Sequence, residues 1–169
     1  LLANDTFPSW GYSIRHGATT IWERWDGWTE HADFQDPGMN SFAHYAFGCV
    51  GQWLFGELVG IDTDPCGPGY KRILVRPHPG GGMRYARAAY KSIRGEIRVA
   101  WESDDGVFKL TVLIPPNTTA QVHIPAGSDS MITEGDVPAA EAKGVKFIER
   151  RNGTAIYEIV SGLYEFCVR

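Results

Sequence analysis

The stretch TTIWERWDGW, residues 19–28, crowds three tryptophans, two acids and one arginine into ten residues, with Glu23 set between Trp22 and Trp25. A carboxylate walled by indoles suits a general base that activates water beside a ligand stacked on aromatic rings. Glycoside hydrolysis is one such reaction. It asks for two carboxyl groups, which inverting enzymes hold roughly 6.5–9.5 Å apart to admit the water. The same residues, Thr20 to Glu23, also fit a capping box, in which the threonine caps a helix and the glutamate bonds back to the cap N–H. The two roles are compatible. A carboxylate in the first turn of a helix faces the positive end of its dipole, which favours the charged form.

Other reactive side chains have plainer explanations. Asp26 would lie on nearly the same helix face as Glu23, where an acid is ordinarily a surface group. EHADFQDPG, residues 30–38, lacks the spacing of an EF-hand loop or a His-x-x-x-His zinc site and reads as a solvated loop. His44, between Ala43 and Tyr45, would sit in the first turn of the next helix, and alone it reads as a packed, hydrogen-bonded histidine. RPHPGGG follows a strand but opens no helix, so it reads as a β-turn loop and not as a phosphate cradle. Ser13, Ser41 and Ser92 stand in no G-x-S-x-G elbow. Cys49, Cys66 and Cys167 are scattered and odd in number, without a CxxC pair. They read as two or three buried or partly buried thiols and favour a reducing, cytoplasmic setting. No metal or cofactor is expected.

Composition narrows the partner. The chain has 169 residues, 43% hydrophobic and 21% charged, as in ordinary globular proteins. Its net charge of −4 is unevenly spread: residues 1–70 carry −7 and five of the six tryptophans, and residues 71–169 carry +3. An acidic, tryptophan-rich surface repels nucleic acid and suits an uncharged ligand with apolar faces and many hydroxyls, such as a sugar. No signal peptide or membrane span is read, and LLANDTFPSW, without a starting Met, suggests a chain that begins inside a longer protein.

These residues must be positioned by two kinds of element. NSFAHYAFGCVGQWLFGELVG spaces Phe42, Tyr45, Ala46, Cys49, Val50, Trp53, Leu54 and Leu58 by threes and fours. That period predicts one helix with a broad buried face, capped by Asn40 or Ser41 and stopped at Gly60. Gly48, Gly51 and Gly56 each cost an isolated helix about 1 kcal/mol relative to Ala and suit close packing of another helix. DTDPCGPGYKR, residues 62–72, then breaks any helix. Beyond it RILVRP, EIRVAWE, FKLTVLIP, TAQVHIP, AIYEIV and LYEFCVR read as strands, separated by PGGG, SDDG, PPN, PAGSDS and RNG turns. About seven short strands of this kind predict an antiparallel sandwich. The fold class is therefore α+β: a helical piece over residues 1–66 and a β-domain over 67–169. The helical piece is too small to close a core of its own.

In their order, PSWGYSIRHGATTIWERWDGW, MNSFAHYAFGCVGQWLFGELVGI and PGYKRILVRPHPGGGMRYARAAYKSIRGEI resemble the C-terminal part of bacterial α-L-rhamnosidases, family seventy-eight of the glycoside hydrolases. The likeness runs from about Pro8 to Trp101, and the later strands suit that family's C-terminal β-sandwich. The resemblance implies an (α/α)6 catalytic barrel whose last helices lie in this chain, and inverting hydrolysis of a terminal α-L-rhamnose. It implies that Glu23, in T-x-W-E, is the general base, and that His44, in S-F-x-H-Y, lines the rhamnose subsite. Trp22 and Trp25 would support that site. Both Glu23 and His44 would stand at helix N-termini and share one mouth. Many relatives carry Asn where this chain has Ala43. The family's general acid lies in an earlier motif that no carboxylate here matches, so the 169 residues alone are expected to be inactive.

The expected partners are thus a rhamnose-containing glycoside and the remainder of the barrel, with neither nucleic acid nor membrane. Two rival readings keep the same elements. One is a non-catalytic carbohydrate-binding sandwich acting through Tyr85, Tyr90 or Trp101. The other is a purely structural piece in which Glu23 is a cap.

Overall fold

Ser9 opens the first helix, α1 (Trp10–Arg15), by accepting a hydrogen bond from Tyr12 N–H at 2.9 Å. The computed structural model describes residues 3–169 and divides into two units, the first ending at Gly51 and the second spanning Gln52–Arg169. In the first unit, aromatic contacts do most of the organising. Tyr12 packs on His16 at 4.4 Å between ring centroids, and His16 on Trp28 at 4.9 Å. Trp28 begins a two-strand hairpin, β1 (Trp28–Thr29) with β2 (Asp33–Phe34), and its indole N–H donates to Asp33 Oδ1 at 2.9 Å. Part of the stretch expected to be a solvated loop is therefore this hairpin.

Two helix expectations are corrected. No helix begins at Thr20, because residues 18–27 form bends and turns. The second helix does not begin at Asn40 or Ser41 either. A 3-10 turn (Ala46–Cys49), one α-turn, α2 (Val50–Trp53), and a π-helical stretch (Leu54–Val59) follow one another. The reason is competition from residues 20–27. The Asn40 side-chain amide and the Ser41 backbone are held by Gly27 and Glu23, which keeps residues 40–44 extended along residues 20–27, and the glycines weaken α-geometry downstream. Gly60 does end the segment, with φ of +89° and its N–H on the Phe55 carbonyl at 2.9 Å. The broad buried face is not seen among the described residues. Leu58 and Val59 are buried, but Trp53 and Phe55 are exposed and Tyr45 is 88% exposed.

The second unit is a β-sandwich held by two long strands. β3 (Ile61–Thr63) and β4 (Arg72–Val75) form a hairpin, so the proline-glycine breaker is the turn between them. β5 (Tyr85–Ser92) pairs with β6 (Gly95–Asp104), and β6 with β7 (Val107–Pro125). β8 (Ile132–Glu134), β9 (Val137–Pro138) and β10 (Val145–Arg151) precede β11 (Thr154–Val168), which pairs with β7, β8 and β10. The first half of β7 lies beside β6 and the second half beside β4, so β7 belongs to both layers. PPN is therefore not a turn. Pro115 to Asn117 form a bend inside one strand, where prolines cost no ladder bonds, and Ile114 and Thr118 on either side remain buried. β11 bends opposite this point, where the register shifts between Val160 and Gly162. AIYEIV and LYEFCVR are likewise one strand.

The sandwich is antiparallel except that β4 runs parallel to β7. SDDG and RNG are tight hairpin turns, with Asp105, Gly106, Asn152 and Gly153 all at positive φ. β5 and β10, which do not stand out as strands in the sequence, are mostly exposed and need no apolar alternation. Trp101 is 1% exposed, inside the shared core, and donates its indole N–H to the Leu58 carbonyl at 2.9 Å. It cannot present a binding face, which corrects its place in the sugar-binding rival. Tyr90 is tilted 42° on Tyr70 and 71° on Phe55, so these rings make no flat platform.

Candidate functional site

Glu23 is fixed by its main chain and its side chain to the same residue. Its N–H donates to the Ser41 carbonyl at 2.8 Å, and Ser41 N–H donates to Glu23 Oε2 at 2.9 Å. Three further bonds join the same two stretches. His44 N–H donates to the Ile21 carbonyl at 2.9 Å, the Thr20 hydroxyl donates to the Phe42 carbonyl, and Asn40 Nδ2 donates to the Gly27 carbonyl at 2.9 Å. Residues 20–27 and 40–44 therefore run antiparallel, zipped by five hydrogen bonds, the Glu23 main-chain bond among them. This zipper brings the segments of Glu23 and His44 together although they lie twenty-one residues apart in sequence.

The zipper replaces the capping box. The Thr20 hydroxyl is spent on Phe42, and Glu23 sits in a bend, so no helix dipole acts on its carboxylate. The Ser41 amide supplies the local positive partner instead, and it occupies one carboxylate oxygen. His44 also departs from expectation. It precedes the helical segment, and its Nδ1 accepts the Ala46 N–H at 3.3 Å, which leaves Nε2–H as the donor of the neutral ring. Its ring stacks parallel to Tyr45 at 5.4 Å.

The two tryptophans take different positions. Trp22 is buried and meets Phe42 edge-on at 5.3 Å, whereas Trp25 is half-buried and stacks on Phe47 at 4.1 Å and 12°. Both line a cleft of about 250 Å³ with Trp10, Ile21 and Phe47. Thr20 and Trp22 also line a second cleft of about 260 Å³ with His16, Trp28 and Phe34. Neither cleft has Glu23 or His44 in its wall.

Asp26 takes no part in the zipper. Its two oxygens accept Arg24 Nε–H at 3.0 Å and Nη2–H at 2.9 Å, and these hydrogen bonds hold the carboxyl below the usual carboxylate range. It is a surface ion pair and not a second member of a carboxylate pair. The sequence suggests Asn40 or Ser41 as a helix cap and Phe42 as part of a helix face, whereas here all three hold the zipper together. Their part in the zipper leaves little signal because three of the bonds use only backbone atoms of Ser41 and Phe42, and these leave no mark on residue type.

Comparison with known proteins agrees along the chain. Residues 1–58 match the bacterial alpha-L-rhamnosidase 6 hairpin glycosidase domain, and residues 60–137 the bacterial alpha-L-rhamnosidase C-terminal domain. An alpha-L-rhamnosidase of Streptomyces avermitilis is 42% identical over 170 residues, covering 99% of this chain and 15% of that protein. The crystal structure of a Streptomyces avermitilis alpha-L-rhamnosidase complexed with L-rhamnose superposes with a TM-score of 0.86 at 41% identity, covering 100% of this chain and 16% of that one. The alpha-L-rhamnosidase of Dictyoglumus thermophilum gives a TM-score of 0.82 at 32% identity, over 100% of this chain and 18% of that one. The chain thus spans less than a fifth of the length of these relatives.

Proposed function

This chain belongs to the bacterial alpha-L-rhamnosidase family, and from that premise we propose that it supplies the water-activating half of an inverting rhamnoside hydrolase. Glu23 acts as general base. Its Oε2 is held by Ser41 N–H, and Oε1 takes a proton from a water. The water oxygen forms a bond to the anomeric carbon as the glycosidic C–O bond breaks on the opposite face. The leaving oxygen takes its proton from a carboxylic acid in another part of the polypeptide. His44 lines the sugar subsite, and Trp22 and Trp25 form the aromatic wall behind it. Residues up to about 58 form the end of an (α/α)6 barrel, and the sandwich follows them in sequence. Trp53 and Phe55, exposed among the described residues, are the positions that further helices would cover.

One observation carries the reading. The Glu23–Ser41 double link joins two short motifs, T-x-W-E and S-F-x-H-Y, which sequence alone leaves unconnected. Glu23→Gln in the full-length enzyme is expected to lower kcat on an aryl α-L-rhamnoside by several orders of magnitude without changing the circular dichroism spectrum. NMR of the first-formed sugar is expected to show the anomer opposite to that of the substrate. An ordinary kcat in the variant removes Glu23 from the mechanism, and a retained anomer removes the inverting assignment.

A further inference from the structure

Besides Asn40 Nδ2 on Gly27, the zipper contains one side-chain link that is not a proposed reacting group, and its acceptor stands between Ser41 and His44. It is the Thr20 hydroxyl, which donates to the Phe42 carbonyl. We propose that Thr20 is a positioning residue, whose hydroxyl sets the alignment of the Glu23 segment against residues 41–44. The inference rests on the proposed role of Glu23.

Three features support it. Thr20 lies outside any helix, so its hydroxyl is free of a capping duty. Its acceptor, Phe42, stands directly between Ser41, whose N–H holds Glu23 Oε2, and Ala43–His44. The flanking links, Glu23 N–H to Ser41 and His44 N–H to Ile21, are single main-chain bonds in an irregular stretch, with no strand ladder beyond them to enforce the register. A shift of Phe42 therefore displaces the Ser41 amide and the His44 ring together. General bases lose about 100-fold for misplacements near 1 Å, so a single lost tether is felt in turnover.

A side chain that only positions the base affects kcat more than KM, and the hydroxyl matters more than the methyl. The test compares Thr20→Val, which keeps the shape and loses the donor, with Thr20→Ser, which keeps the donor. Both are made in the full-length enzyme and assayed on an aryl α-L-rhamnoside. Thr20→Val is expected to lower kcat about tenfold or more with KM within about threefold, and Thr20→Ser to stay within about twofold of the parent. Equal losses in both variants, or an unchanged kcat in Thr20→Val, overturn the inference. So does a change confined to KM, because Thr20 also lines both aromatic clefts and would then be touching the ligand. Should Thr20→Val fail to fold, Thr20→Ala carries the same comparison. Glu23→Gln separates the two levels. If it stays active, the functional reading falls; if it is inactive while Thr20→Val is normal, only the positioning role falls.

Discussion

At the scale of single residues, what surrounds a side chain decides its chemistry more than its sequence neighbours do. Glu23 and Asp26 are three residues apart in one acidic, indole-rich stretch, yet Asp26 is committed to Arg24 and Glu23 to the Ser41 amide. His123 on β7 is a second case. Burial first, then the charges of Arg76 and Arg151, with a smaller contribution from His78, push its pKa below the ordinary value, against the opposing pull of Glu149. The folded protein thus prefers neutral His123. Above about pH 6.5 both folded and unfolded forms are neutral there, and nothing is lost. Below that value the unfolded chain binds a proton that the folded one resists, so stability falls with falling pH until the folded pKa is passed. The pH dependence of urea unfolding between about pH 5 and 7 is expected to flatten in His123→Gln. A slope unchanged by that substitution places its origin elsewhere.

At the scale of elements, the helical period and the strand alternation were legible, but their boundaries were not. Leu58 is buried in the sandwich core and Leu54 packs against it, two of the positions the helical spacing marks as buried, and Val59 joins them, while the residues before Ala46 are drawn into the zipper. The end of that segment is set by a contact that sequence shows only as a glycine. A Cβ on Gly60 would stand 2.3 Å from the Arg76 carbonyl carbon, at a φ of +89°. Gly60→Ala is expected to destabilise the sandwich by roughly 2 kcal/mol or more, measured by urea unfolding. A loss below about 0.5 kcal/mol would show that the backbone relaxes there. Trp101→Phe tests the neighbouring contact, since it leaves the buried Leu58 carbonyl without its donor. It is expected to cost about 1–3 kcal/mol. The sequence divides β7 at PPN, and β11 between AIYEIV and LYEFCVR at Ser161-Gly162, because proline and glycine ordinarily end a strand. Here they bend one, because β7 and β11 must pass between two layers together.

At the scale of the molecule, the two units differ in how they are held. The sandwich closes a continuous core from Leu58 to Val168. The first unit relies on aromatic pairs and the zipper, with Ile14, Phe34, Met39 and Tyr45 exposed. It also carries much of the negative charge of residues 1–70, which suits a neutral, hydroxyl-rich ligand better than an anionic one. The chain spans 15–18% of these relatives' length, and in the proposed mechanism the general acid comes from another part of the polypeptide. The 169-residue polypeptide by itself is therefore expected to show no turnover of an aryl α-L-rhamnoside. Activity in a sample verified by mass would mean that the acid lies within these residues.

The sequence by itself determined the family, the sandwich and the identity of Glu23 and His44 as the residues to watch. Motif order and apolar alternation are properties of residue type, and they survive without coordinates. Only the tertiary structure decided that Glu23 is held by a zipper and not by a helix, that His44 stands ahead of its helix, and that four apparent strands are two. Those outcomes depend on backbone hydrogen bonds between distant segments. A carbonyl such as that of Phe42 is the same group in every residue, and an amide N–H such as that of Ser41 in every residue but proline, so its partner cannot be read from a letter.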